Sequence, residues 1–170
     1  MIICINSGSK GGTGKTTFAE LTTYVWRRLE VSTVLTKPPV VVKRGVVNIV
    51  DFPAFSLTDL LYVKSLGRCD SYIYVVDESF ETLKAIETIH VIYRKKVLGV
   101  IINKVIKKPS GLFLEQYKKF GNTYIIRFDD RLAIHKAIGA PPYRVRSVAV
   151  LDMTKAAVDI LLKEINPLLR

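Results

Sequence analysis

Acidic side chains are scarce in this sequence and unevenly spread. Fifteen Asp and Glu stand against 26 Lys and Arg, a formal charge of +11, and no acid falls between Glu30 and Asp51. Residues 84–119 hold nine basic groups (Lys84, Arg94, Lys95, Lys96, Lys104, Lys107, Lys108, Lys118, Lys119) against Glu87 and Glu115. Such a balance excludes an evenly mixed exterior and directs attention to nucleic acid or another polyanion. Cysteine is rarer still: Cys4 and Cys69 are the only two, too few and too separate for a disulfide framework or a metal site. No apolar run approaches the roughly 18 residues of a membrane span. The chain starts on a strand-like run rather than a basic segment with an apolar stretch and a cleavage site, so the cytoplasm is the expected compartment. Gln116 is the only glutamine. With the abundance of Ile, Val and Lys, this hints at a hot-growing source, in which a charged surface says less about partners.

Apolar residues make up 49% of the 170 and mean hydropathy is +0.24, enough for one core in one domain over residues 1–170. Strands are expected at Ile2–Asn6, Val31–Thr36, Val46–Val50, Tyr72–Val76, Val97–Ile102 and Thr123–Ile126, with Val40–Val42 and Val46–Val50 flanking a tight turn at Lys43-Arg44-Gly45. Helices are expected at Thr16–Arg28, Ser56–Leu66 (Ser56 as cap, Asp59 in the capping-box position), Phe80–Arg94, Ser110–Phe120, Asp130–Ile138 and Ser147–Ile165, the last stopping near Pro167. Unbroken β-branched strands alternating with helices predict an α/β fold: a mostly parallel sheet covered by helices on both faces, in three layers.

Residues 8–17 read GSKGGTGKTT between the first strand and the first helix. Glycines there let successive backbone N–H groups form a nest around phosphates, and the free helix N-terminus adds partial positive charge. Lys15 would neutralise the terminal phosphates, and Thr16 would supply a hydroxyl to Mg²⁺. Asp51, an acid ending a strand, is placed to hold the same Mg²⁺ through water, and Pro53 stiffens the loop beyond it. These residues predict a P-loop nucleotide-binding protein.

Lys10-Gly11-Gly12-Thr13-Gly14-Lys15-Thr16-Thr17 resembles the deviant Walker A motif of the ParA/MinD family of partition and positioning ATPases. Asp51-Phe52-Pro53 looks like that family's switch II segment, and Asn103-Lys104 like its base-reading Asn at a strand end. Ile126 to Asp130, followed by Gly139-Ala140-Pro141, looks like its late nucleotide-adjacent loop. The resemblance implies ATP/ADP and Mg²⁺ as ligands, with Gly11, Gly12, Thr13, Gly14, Lys15, Thr16 and Thr17 at the phosphates. Asn103 would read the adenine, with the backbone of Arg127, Phe128 and Asp129 beside the base or ribose. Lys10 would reach the partner's ATP in an ATP-dependent homodimer. Catalysis would rest on Lys10, Lys15 and Asp51.

One departure concerns hydrolysis. The family's acidic switch I segment is replaced by Val34-Leu35-Thr36-Lys37-Pro38-Pro39, with Thr36 and Pro38 where the acids belong. Water positioning is part of the catalytic gain, whereas binding rests on the P-loop and Mg²⁺. ATP binding should survive; hydrolysis is expected to be slow, absent or supported by another acid. The leading expectation is a Mg-dependent ATPase switch that binds DNA without sequence preference and meets a DNA-bound adaptor, associated with the nucleoid and not with membrane. Candidate DNA contacts are Arg94, Lys95, Lys96, Lys107, Lys108, Lys118, Lys119, Arg144 and Arg146. The alternatives are a hydrolysis-impaired regulator and a P-loop small-molecule kinase or synthetase.

Overall fold

A computed structural model describes residues 1–169. Its strands are β1 (Ile2–Asn6), β2 (Thr33–Thr36), β3 (Val47–Asp51), β4 (Ser71–Val76), β5 (Lys96–Val105) and β6 (Thr123–Arg127). They form one six-stranded sheet in the order β2-β3-β1-β4-β5-β6, every neighbouring pair parallel. The helices are α1 (Lys15–Arg28), α2 (Leu60–Gly67), α3 (Phe80–Tyr93), α4 (Gly111–Lys118), α5 (Asp130–Ala133) and α6 (Val148–Ile160).

Side-chain alternation sorts the core into two layers. On one face Ile3 and Ile5 of β1, Val47 and Ile49 of β3 and Ile73 and Val75 of β4 pack with Phe18, Leu21 and Trp26 of α1 and Met153, Ala157 and Ile160 of α6. On the other, Cys4, Val50, Tyr72, Tyr74 and Val76 meet Leu66, Leu83, Ile86, Ile89 and Tyr117 from α2, α3 and α4. Trp26 is fully buried, and its indole N–H donates to the Ala157 carbonyl at 2.8 Å, tying α1 to α6. The expected three-layer arrangement is therefore the one observed.

Several local expectations are corrected. Cys4 and Cys69 form a disulfide. Spacing could not show this: parallel pairing of β1 with β4 brings the two Cα atoms to 5.9 Å in one core layer. Val40–Val42 is not a strand; the tight turn is present at Arg44-Gly45, but β2 pairs with β3 in parallel, so it does not close a hairpin. The connection instead runs back without a helix. Val40 is buried in the α2/α3 layer, and the Asn48 side chain accepts from the Lys43 N–H at 2.8 Å and donates to its carbonyl at 2.9 Å. Asp59, not Ser56, caps α2, accepting from the Leu61 and Tyr62 N–H groups; the Ser56 hydroxyl is held by Thr58. The helix expected to Ile138 ends at Ala133 and gives way to turns. At its far end α6 runs through a π-helical turn, Leu161–Ile165, into Asn166–Leu169, so Pro167 does not stop it.

Candidate nucleotide site at the carboxyl end of the sheet

All strands point the same way, so every strand-to-helix loop opens at one end, and β1 lies at the centre of that end. This is where parallel sheets bind ligands. The loop after β1 turns back on itself through left-handed backbone at Gly8 (φ 63°), Gly12 (φ 72°) and Gly14 (φ 97°). Gly14 is the N-cap of α1, with no side-chain cap and no acid in the first turn. The first N–H groups of α1 are thus left for an anion.

Lys15 is buried beneath the loop, its ammonium donating to the Ser7 hydroxyl at 2.7 Å and the Lys10 carbonyl at 3.1 Å. Burial lowers its pKa, opposed by the charge of Asp51. Thr16 donates its hydroxyl to Asp51 Oδ2 at 2.7 Å, while the second oxygen, Oδ1, is buried with no partner. Burial raises the Asp51 pKa; the Thr16 hydrogen bond and then Lys37, Lys15 and Lys136 pull it back. Thr13 Oγ1 and, at the end of β2, Thr36 Oγ1 are likewise unpartnered. An orphaned carboxylate oxygen beside hydroxyls is a hard-donor set that suits Mg²⁺, which keeps waters and phosphate oxygens for its other positions. No cluster of three or more His, Cys, Asp or Glu able to hold a metal occurs among the described residues, and a cation shared with phosphates does not require one.

From the loop a cleft of about 380 Å³ runs towards β5 and β6, a size that suits a small ligand. Its polar end holds Lys15, Thr16 and Thr17; its apolar end is walled by Phe128, Leu132, Ala149 and Met153. The Asn103 amide donates to the Thr13 carbonyl at 2.8 Å. Arg127 lines the cleft, but its guanidinium is committed to Asp152 of α6 by two bonds of 2.8 Å. Asp129 caps α5 and also accepts from the Val148 N–H at 3.0 Å. Lys10 folds back onto its own chain, 2.9 Å from Glu81 of α3.

The motif residues thus converge, and neighbours to which the sequence assigned no site role join them. Lys104 donates to the Gly12 carbonyl at 2.7 Å. Asp77 follows β4 and accepts from the Ser79 and Thr82 hydroxyls, both at 2.6 Å. A signal existed for Asp77 and Glu81, since the acidic run Asp77-Glu78-Ser79-Phe80-Glu81 follows a strand at this same end. Lys37 and Lys136, which act on Asp51, carry no such signal.

The nine basic candidates do not form one patch. Lys107 and Lys108 follow β5 and Arg144 and Arg146 precede α6, all at the nucleotide end. Arg94 and Lys95 lie between α3 and β5, Lys96 opens β5, and Lys118 and Lys119 close α4, at the opposite end. There Lys96, Lys118 and Lys119 are paired with Glu164, Glu115 and Glu87. Arg27-Arg28, Lys64 and Lys118 also occupy the last turns of α1, α2 and α4, where cations offset the helix dipole. Among the described residues, no helix is long and apolar enough to cross a membrane.

No protein-family model and no curated protein matches the sequence. Solved structures do match the fold. The MinD cell division protein of Aquifex aeolicus aligns with a TM-score of 0.74 at 15% identity, over 96% of this chain and 98% of that one. The septum site-determining protein MinD of Pyrococcus horikoshii, complexed with Mg-ADP, aligns at 0.75 and 15%, over 98% and 97%. A ParA family ATPase from Chlorobium tepidum aligns at 0.70 and 11%, over 92% and 97%. Over nearly its whole length, then, this chain is built on the α/β fold of the MinD and ParA-type P-loop ATPases.

Proposed function

We propose that the chain is a Mg²⁺-dependent ATP-binding switch of the ParA/MinD type, whose ATP-bound dimer holds DNA without sequence preference. The observation that carries the reading is the meeting of Lys15, Thr16 and a half-satisfied Asp51 at the uncapped start of α1. The loop N–H groups and the buried Lys15 would bind the phosphates. Thr16 and Asp51 Oδ1 would hold Mg²⁺, whose positive charge offsets that of the β- and γ-phosphate oxygens. The apolar end of the cleft would take the base, with Asn103 and the backbone of Arg127 to Asp129 at its rim. Lys10 is held only by an exposed ion pair, a contact worth little. It is free to exchange Glu81 for a partner subunit's nucleotide.

Within this reading, DNA contact falls to Lys107, Lys108, Arg144 and Arg146, which share an end with the nucleotide. The cations of the opposite end already offset helix dipoles and carboxylates. Turnover is the weaker part of the activity. Lysines at 15, 37 and 136 surround Asp51, and Thr36, Lys37 and Pro38 offer no acid to orient water. That observation favours a second reading, in which the ATP state is held for a DNA-bound adaptor to read. DNA retention with ATP and with ADP, at two salt concentrations, tests the switch. Retention that needs ATP, falls with salt and is lost in Lys15→Ala supports it; retention indifferent to nucleotide overturns it. Phosphate release in the same samples separates a cycling switch from a held one.

A further inference from the structure

A regular strand sends adjacent side chains to opposite faces. Asn103 and Lys104 break that rule, because both side chains reach the phosphate loop: Asn103 Nδ2 donates to the Thr13 carbonyl at 2.8 Å, and Lys104 Nζ donates to the Gly12 carbonyl at 2.7 Å. Two backbone features make this possible. The register between β5 and β6 shifts between Ile102 and Val105, where Ile102 pairs with Ile125 but Val105 with Arg127, so β5 carries one extra residue. Within that bulge Lys104 sits at φ 62°, one of three non-glycine residues with left-handed backbone among the described residues. Bulges re-aim side chains beside functional sites, and a left-handed non-glycine residue persists only where its surroundings impose it. The residue after the bulge, Val105, is buried, and its carbonyl accepts from the Phe128 N–H at 2.9 Å, which fixes the strand on the far side.

We propose that Lys104 is a positioning residue for the nucleotide site: its ammonium pins the phosphate loop through Gly12, and its stem forms part of the cleft wall between the loop and β6. This rests on the nucleotide reading above and gives a role to the residue after the base-reading Asn103, for which the resemblance implied none. Gly12 stands at φ 72°, and a Cβ there would meet nothing within 4 Å. Gly12 is thus an exposed point of the loop with open space beside it, and the Lys104 bond ties its carbonyl to β5. The neighbouring Gly14 differs, since a Cβ there would collide with Asn103 Nδ2. Asn103 thus fixes the helix end of the loop and Lys104 its middle.

The test compares wild type with Lys104→Asn and Lys104→Arg. Asparagine tolerates left-handed backbone but cannot reach the loop, whereas arginine can. Three readouts are taken: melting temperature, amide hydrogen exchange over residues 11–14 without nucleotide, and the dissociation constants of ATP and AMP. Lys104→Asn is expected to melt as wild type does, to exchange faster over residues 11–14, and to bind ATP roughly three- to tenfold more weakly, as loss of one charge-assisted bond near solvent implies. AMP, which lacks the phosphates this loop embraces, should lose less. Lys104→Arg should recover most of both losses. Unchanged exchange and unchanged ATP affinity in Lys104→Asn would overturn the assignment, as would a loss that follows a fall in melting temperature and is not recovered by arginine. If wild type binds no nucleotide, the nucleotide reading fails by itself, while the exchange measurement still decides whether Lys104 pins the loop.

Discussion

At the carboxyl end of the sheet, Lys15 and Asp51 are buried with their hydrogen-bonding capacity partly unspent. At the amino end, Lys96, Lys118 and Lys119 sit near solvent and already face Glu164, Glu115 and Glu87. The chain spends charge in two ways. One end keeps desolvated groups that a ligand would satisfy, and burial moves the Lys15 and Asp51 pKa values in the directions that disfavour their charges. The other end places cations where helix dipoles and neighbouring carboxylates satisfy them. Net charge counts both ends equally; only geometry tells which cations are left for a partner.

The comparison breaks most sharply at Lys15. Lys15→Ala should weaken ATP binding by about 100-fold or more, in line with the cost of losing hydrogen bonds to a charged group. Gly14→Ala should follow. It forces a side chain into backbone at φ 97° and against Asn103, and should lower unfolding free energy by about 1–3 kcal/mol in urea melts. Third, charge reversal at Arg144 and Arg146 should reduce ATP-dependent DNA retention about tenfold, whereas reversal at Arg94 and Lys95 should leave its nucleotide dependence intact. Equal losses would show that the two ends do not divide the work.

The sign of the Asp51 effect is opposite to that of an ordinary ion-paired carboxylate. Its pKa is raised above 3.8 in the fold, chiefly by burial, so the folded state holds its proton more tightly than the unfolded chain does. Ionisation at neutral pH therefore subtracts stability, and the loss is recovered as pH falls through the folded pKa towards 3.8. Asp51→Asn should accordingly melt higher than wild type at pH 7, with the gain shrinking in acid, while Mg²⁺-dependent nucleotide binding falls. Asp152 behaves in the usual way. The Arg127 hydrogen bond holds its carboxyl below 3.8, so its contribution is present above that value and is lost as pH drops through the folded pKa. The smallest effect belongs to the amino end, where Lys118→Ala should change stability by no more than about 0.5 kcal/mol.

Much of this was legible in the sequence because it is local. The glycines, Lys15 and Thr16 declare their chemistry within a few residues, and the six paired strands fall within two residues of their observed bounds except β5, which runs three residues past Ile102 to Val105. Asp51 could be picked out because it ends such a strand. The missed features depend on register. Cys4 and Cys69 pair only because β1 lies beside β4, and Lys104 reaches Gly12 only because β5 carries a bulge. The Val40–Val42 run reads as a strand by composition but is irregular, with Val40 buried, Val41 and Val42 exposed, and Asn48 holding the next residue, Lys43. Whether the positive segment from residue 84 to 119 forms one patch was not legible, because α3, β5 and α4 carry it from one end of the sheet to the other and back.

A Mg²⁺-dependent nucleotide site built on Lys15, Thr16 and Asp51 is tested by calorimetric titration of ATP into wild type and Lys15→Ala, with Mg²⁺ and with chelator. Saturable binding of one ATP per chain is expected, weakened by chelation and lost in the variant. Binding equal in the two proteins, or none in wild type, would contradict it.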